Sequence, residues 1–351
     1  MPSAPRRGDP TAQPPGRYPG FLERLLPRDR RHRARGRSGP RTAVVTDTAS
    51  AIPAAWAQEH AEHLRVLPLP VMIDGQIYTE GLDDVETALA MALATGASVQ
   101  TSRPAPGAFQ RTYESLAAAG FERIYSLHLS QGLSGTVDAA CWAAEQVEVE
   151  VTVMDTRTVG LAQGLAVMDA VLAAEAGAGA QELEAGVRRA QDHGLYFVVP
   201  SLEQLRKGGR IGAAASMFGT LLAVKPLLAI ENGRIGVHEK VRTMPRAMSR
   251  LVEISREEAA AAPAGARIAV HYFGNPDQAH ELCAELESSS VGDVLCEPLP
   301  TVLAAHAGAG VLAVGIAALA PPDNPDEPVD AAAPSEQDPP EDDAPGSTVP
   351  A

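Results

Sequence analysis

Apolar positions recur along this chain in two rhythms. From 42 to 178, short apolar runs alternate with Ala- and Leu-rich stretches of helical spacing. Thr42 to Thr46 reads as a buried strand ending at Asp47, and Leu64 to Ile73 as a second strand closed by the turn Asp74-Gly75. Asp84 to Thr95 and Pro106 to Ala119 read as helices, Ile124 to Leu129 as a strand, and Thr136 to Gln146 as a helix. Val149 to Asp155 is a strand and Val159 to Ala176 a long Ala-rich helix. Strands alternating with helices predict a parallel sheet covered by helices.

After Gly179 the rhythm changes. A helix at Ala180 to His193 leads into a strand at Leu195 to Val199 and a Gly-rich polar loop, Arg206 to Gly212. Val224 to Ile230 and Ile235 to Val241 flank Glu231-Asn232-Gly233-Arg234, and Asn-Gly between two apolar runs is a strong hairpin signal. Arg267 to Phe273 adds a strand. Thr301 to Pro321 is the most apolar stretch, but His306, Gly308, Gly310 and Gly315 interrupt it, so it reads as a buried helix and not a membrane span. The expected fold is α/β in two domains: a parallel sheet flanked by helices at 42–178, and an α+β domain with antiparallel pairing at 179–320. A Pro- and Arg-rich tail at 1–41 and an acidic Pro-rich tail at 321–351 read as disordered. Phe21 to Leu26 could form a short amphipathic turn in the first of them.

Composition narrows the function. The chain has 351 residues, more than one core usually holds, and is 45% hydrophobic but only 4% aromatic. Any cavity is therefore lined by aliphatic side chains, which suits an alkyl chain better than a stacked base or sugar. The net charge of −15 argues against nucleic acid, whose phosphates need a basic surface. Residues 1–41 carry +8 and residues 323–351 carry −9, so the body is itself acidic. Cys141, Cys283 and Cys296 show neither CxxC nor metal spacing, and with no apolar leader behind the Arg-rich start they predict reduced thiols in a cytoplasmic protein. The nine His are dispersed, with no HExxH pair, and neither a metal nor a cofactor is expected.

Four segments could carry chemistry. Thr101-Ser102-Arg103-Pro104 precedes a helix, so its hydroxyls are either ordinary N-caps or, with free backbone N–H groups, anion ligands. Leu129-Ser130-Gln131-Gly132-Leu133-Ser134-Gly135-Thr136 is a strand passing through a Gly/Ser loop into a helix, where doubly wound sheets receive ligands. Helix capping explains Ser134 and Thr136 nearly as well. His306 is either a structural histidine or, with Gly308 and Gly310 suggesting a helix start brought close to something, a partner for a carboxylate. Arg206-Lys207-Gly208-Gly209-Arg210-Ile211 lacks the order of a phosphate loop, yet with Lys240 and Arg242 it forms a basic patch in a chain with three lysines. Ser134, Asp155 and His306 also occur in the chain order of a hydrolase triad. The second glycine of the nucleophile elbow, Gly135, comes one residue early.

These fragments in this order resemble the DegV family: Val45-Thr46-Asp47-Thr48-Ala49, Pro68-Leu69 with Ile73-Asp74-Gly75 and Tyr78, Thr101-Ser102-Arg103-Pro104, Leu133-Ser134-Gly135-Thr136, Leu205 to Ile211, Lys225-Pro226, Lys240-x-Arg242 and His306-x-Gly308. The resemblance covers roughly residues 42–320. It implies one long-chain fatty acid buried between two α/β domains, with its carboxylate held by hydroxyls and a histidine. Its FakB members are not enzymes; they present the acid to a separate ATP-dependent kinase, FakA, that makes the acyl phosphate for phospholipid synthesis. Carried over, Thr101, Ser102, Ser134 and His306 hold the carboxylate within the Ser134-Gly135-Thr136 loop, and Arg210 and Arg242 lie at the headgroup and the kinase-docking face. No stable membrane insertion is implied. The alternatives are the Ser134/Asp155/His306 hydrolase and a lipid-sensing protein without a kinase. The chain departs from the family at Ala309, where a Pro is usual, and at Ala51, where an acid is usual.

Overall fold

The computed structural model describes residues 39–192, 194–212, 225–262, 264–289 and 293–319. The tails expected at 1–41 and 321–351, with the turn read at Phe21 to Leu26, lie outside these residues apart from 39–41. The chain runs through β1 (Thr42–Asp47), α1 (Ala54–Glu59), β2 (Leu64–Leu67), β3 (Val71–Ile73), β4 (Gln76–Tyr78), α2 (Val85–Thr95) and β5 (Val99–Thr101). Next come α3 (Pro106–Ala118), β6 (Arg123–His128), α4 (Thr136–Ala144), β7 (Glu150–Asp155), α5 (Gly160–Glu175), α6 (Ala180–Gln191) and β8 (Gly194–Val198). Then follow α7 (Glu203–Lys207), β9 (Lys225–Glu231), β10 (Arg234–Val241), α8 (Met244–Ala261) and β11 (Ala266–Phe273). The last elements are α9 (Pro276–Ser288), β12 (Asp293–Pro298), α10 (Thr301–Ala307) and β13 (Val311–Ala318).

The strands form three sheets. A parallel sheet has the order β2-β1-β6-β7, a six-stranded mixed sheet the order β10-β9-β8-β13-β11-β12, and a small antiparallel sheet the order β4-β3-β5. The fold is thus α/β, with a helix-flanked parallel sheet early in the chain and largely antiparallel pairing later. Asn232 (φ 49°) and Gly233 (φ 75°) turn the expected hairpin between β9 and β10, both in the left-handed region that a two-residue turn of this hand requires.

Three expectations are corrected. Leu64 to Ile73 is not one strand: Pro68 and Pro70 remove ladder donors, so β2 pairs with β1 while β3 leaves for the small sheet. Thr301 to Pro321 is not one helix: Gly308 (φ 83°) ends α10, and β13 lies between β8 and β11, buried along almost its whole length and so without an alternating pattern. The loop read at Arg206 to Gly212 begins inside α7.

Helix α5 joins the layers. It is buried along most of its length, as a helix lying between two sheets must be, with Asp169, Leu172 and Glu175 less covered. Leu161, Leu165, Met168 and Val171 are fully buried with Val44 and Leu127 of the parallel sheet and Ala269 and Ala317 of the mixed sheet. Each such leucine contributes about 1.5–3 kcal/mol. Arg267, 2% exposed, grips Asp169 of α5 through two parallel hydrogen bonds of 3.0 and 2.7 Å. In the parallel sheet β1 is followed by its neighbour on one side and β6 by its neighbour on the other. The strand order therefore reverses between β1 and β6, the point where such sheets open a crevice at their carboxyl ends.

Candidate functional site

That crevice is held open by a buried polar network. Asp47, the last residue of β1, accepts hydrogen bonds from the Ala49 and Leu129 N–H groups (3.1 and 3.2 Å) and the Gln163 amide (3.3 Å), and pairs with His128 Nδ1 at 2.8 Å. His128 Nε2 continues to the Ser126 hydroxyl and on to the Tyr113 hydroxyl, each at 2.7 Å. This network fixes where β6 releases the Ser130–Gly135 loop. The loop is then folded on itself by Ser130, whose carbonyl accepts from Leu133 and Ser134 N–H and whose hydroxyl donates to the Gly233 carbonyl at 2.7 Å.

In front of the loop lies a cleft with about 870 Å³ of empty space, counting its open mouth. Most of its wall is apolar: Leu195 and Phe197 from β8, Ile230 and Ile235 from the hairpin, Val311 and Ala313 from β13, and Leu299, Val302 and Leu303 at α10. Apart from His271, the polar side chains gather at one end, where Thr101, Ser102, Arg103, Ser134, Arg210 and His306 all reach the cavity.

The geometry of that end is specific. The Thr101 hydroxyl and His306 Nε2 share a 2.7 Å hydrogen bond across 205 residues of sequence. Burial, helped by the Arg210 guanidinium, lowers the His306 pKa to about 4, so the ring is neutral at pH 7 and able to donate one hydrogen bond and accept another. Arg210 is fixed by donating to the Leu133 carbonyl at 3.0 Å and the Gly208 carbonyl at 2.6 Å. Gly208 sits directly against the His306 ring, where a Cβ would come within 2.9 Å of Cε1 and closer still to Nδ1. Ser134 bonds the Thr136 hydroxyl at 2.9 Å. Arg103 donates to the Gly135 carbonyl at 3.4 Å.

Of the expected residues, the structure thus brings Thr101, Ser102, Ser134, His306 and Arg210 together. Gly135 and Thr136 support them from behind, and Arg242 is exposed beyond the end of β10, outside the cavity wall. The N-cap readings do not hold. Thr101 ends strand β5, and α3 is preceded by Ala105 with no side-chain cap, while α4 is preceded by Gly135, again uncapped. His306 lies in the last turn of α10 and not at a helix start, because Gly308 breaks the helix after it. The triad is not assembled: His306 is bonded to Thr101, Ser134 to Thr136, and Asp155 Oδ1 to the Arg157 N–H at 2.8 Å.

Two polar residues of the cavity escaped the sequence reading. Arg103 lies inside the very motif that supplies Thr101 and Ser102. His271 lies mid-strand in β11, where Nδ1 donates to the Glu297 carbonyl at 3.1 Å and Nε2 accepts from the Leu161 N–H at 2.9 Å. Burial lowers its pKa to about 4. Among the described residues, no group of three acidic, His or Cys side chains could hold a metal ion, and no helix is long and apolar enough to cross a membrane.

A family model for the uncharacterised DegV proteins matches residues 41–319. The chain belongs to the DegV family. A DegV domain-containing protein of Streptomyces coelicolor is 42% identical over 275 residues, covering 78% of this chain and 96% of that relative. A DegV protein of Thermus thermophilus, described as binding fatty acid, superposes with a TM-score of 0.75 at 32% identity, over 80% of this chain and all of the other. DegV of Bacillus subtilis, described as a fatty acid binding protein, gives 0.73 at 28% identity with 80% and 100% coverage. The order of motifs that suggested DegV in the sequence therefore identifies the family.

Proposed function

We propose that this DegV protein binds one long-chain fatty acid in the cleft, with the carboxylate at the Thr101/Ser134/His306 end and the alkyl chain along β8, β9 and β13. The observation that carries the reading is the division of a single cavity into an aliphatic wall and one polar end, where hydroxyls, a neutral histidine and two guanidiniums converge. A buried carboxylate needs such partners, because an unsatisfied one would cost several kcal/mol or take up a proton. The tail supplies affinity at about 0.8 kcal/mol per buried CH₂. The fatty acids described for the Thermus and Bacillus relatives support the same ligand class here.

The protein is a carrier with no turnover of its own. A separate FakA-like fatty acid kinase phosphorylates the presented carboxylate, with Arg210 beside the transferred group and Arg242 on the docking face. Residues 42–178 and 179–320 act as two lobes closing on the acid, in the cytoplasm. Native mass spectrometry of the purified full chain, followed by lipid analysis of its extract, tests the reading. A stoichiometric fatty acid, lost in Ser134→Ala and His306→Ala, is expected. A chain that stays empty after incubation with a fatty acid panel overturns it.

A further inference from the structure

Strand pairing along the floor of the cavity is interrupted. β8 and β9 pair at Val198↔Leu227, Phe197↔Leu228 and Tyr196↔Ala229, and there the ladder stops. β9 nevertheless runs on to Glu231, still paired with β10 through Ile230↔Ile235 and Glu231↔Arg234. On its other side β8 stays paired with β13 down to Gly194↔Ile316. The sheet is therefore slit between Gly194-Leu195 and Ile230-Glu231. Gly194 puts no side chain into the slit, and a Cβ there would stand 2.8 Å from the Tyr196 ring and overlap the Glu258 carboxylate.

Behind the slit lies a second cleft, lined by Gly194, Tyr196, Glu231, Glu258, Ala261 and Ile316. Its rim is fixed by the Tyr196 hydroxyl donating to Glu258. Ile230 borders both spaces. Two residues from Leu228, it points to the same face of the sheet and meets Leu195 and Ile235 in the cavity wall. Ile235 is 7% exposed, but its cross-strand partner Ile230 is only half-buried, as expected of a side chain with open space behind it. The slit is also far from the polar end. Val311 lies at the His306 end of β13 and Gly315 pairs with Leu195, so four steps along the strand put the slit about 13 Å away.

We propose that Ile230 is the length gate of the cavity: its side chain plugs the slit and so sets the longest alkyl chain that fits. This rests on the fatty acid reading above. Ile230→Ala removes the three outer carbons of the plug, and the end of a longer chain then passes into the cleft behind, over Ala261 and Ile316. Ile230→Phe extends the plug into the cavity and shortens it.

The test is native mass spectrometry of the full chain incubated with an equimolar panel of straight saturated acids from lauric to lignoceric. Wild type, Ile230→Ala and Ile230→Phe are compared after thermal melts confirm that each is folded. Wild type is expected to show an upper cut-off in length. Ile230→Ala should move it to longer acids and Ile230→Phe to shorter ones, with shorter acids still bound in both. Should Ile230→Ala not fold, the downward shift in Ile230→Phe decides alone. Wild-type binding with the same cut-off in the folded variants overturns the gate and leaves the fatty acid reading standing. A wild type that takes no acid overturns both.

Discussion

Gly208 and Gly209 are neighbours with opposite expected behaviour, and the contrast tests whether His306 holds the ligand. Gly208 has φ −76°, an ordinary value that alanine adopts without strain. Its problem is space, because a Cβ would collide with His306 Nδ1 and lie 2.9 Å from Cε1 and 3.2 Å from the Gln204 carbonyl. In Gly208→Ala the ring must tilt away, giving up the 2.7 Å bond to Thr101. Overpacking of this kind costs about 1–3 kcal/mol of stability. A hydrogen bond to a charged carboxylate, worth about 1.5–3 kcal/mol, is lost with it. That corresponds to weaker binding by about 10- to 150-fold. Gly209 has φ +70° with nothing within 4 Å of a Cβ, so Gly209→Ala strains the backbone by about 1–2 kcal/mol and touches no ligand group. Displacement of a fluorescent fatty acid gives the affinities, and urea unfolding gives the stabilities. Should Gly208→Ala bind within twofold of wild type, or Gly209→Ala weaken binding as much, His306 is not the carboxylate's partner.

Further outcomes follow from the same contacts. The His306 pKa is lowered to about 4 from an ordinary 6.5, so the unfolded chain binds the proton more readily and stability falls as pH drops from about 6.5 towards 4. His271 acts in the same direction, and Glu258 and Glu297, both raised by burial, act in the opposite one above their ordinary value. The slope therefore has to be isolated: His306→Asn should flatten the pH dependence of unfolding by about 3 kcal/mol over that window relative to wild type, and an unchanged slope would exclude a buried neutral ring. Asp47→Ala strands the Leu129 and Ala49 N–H groups and His128, and should cost about 3–5 kcal/mol in urea unfolding; a loss below 1 kcal/mol contradicts the buried network. Arg210→Glu should abolish acyl-phosphate formation with a FakA-like kinase, and unimpaired formation would remove Arg210 from that step. Ester hydrolysis by wild type that vanishes in Ser134→Ala would revive the hydrolase reading.

How much of this was legible follows the range of the interactions. Local rules served where the signal was local: Asn232-Gly233 marked its hairpin, and the Ala-rich run at 159–176 marked the helix α5. They failed where apolar text is ambiguous. The run at 301–321 reads as one piece because its helix and its central strand are both largely buried and neither shows its period, leaving only Gly308 and Gly310 as punctuation. Pro68 and Pro70 carried a break that the apolar letters around them concealed. The site was legible as a set of motifs but not as a geometry. Thr101 and His306 meet because β3 and β5 leave the first sheet and lie over α10, and no spacing in the chain records that. His271 looks like one polar letter inside a buried strand, which is what it would be with or without a cavity beside it.

For the proposed ligand, an anion, an acidic protein must solve the problem locally. The chain carries −15 overall, yet at physiological salt the field of distant carboxylates fades within about 8 Å. What a bound carboxylate meets is the nearest shell, and there the charged groups are Arg103 and Arg210 while His306 stays neutral. Neutrality has a consequence. A protonated His306 beside Arg210 would be repelled, and burial would penalise it further, so the ring donates a hydrogen bond without adding charge. Arg103 is exposed, while Arg210 is partly buried and held by two carbonyls. A site built only to bury an anion would place its positive charge deepest. Under the proposed carrier reading, an exposed guanidinium beside the headgroup leaves the carboxylate facing a partner.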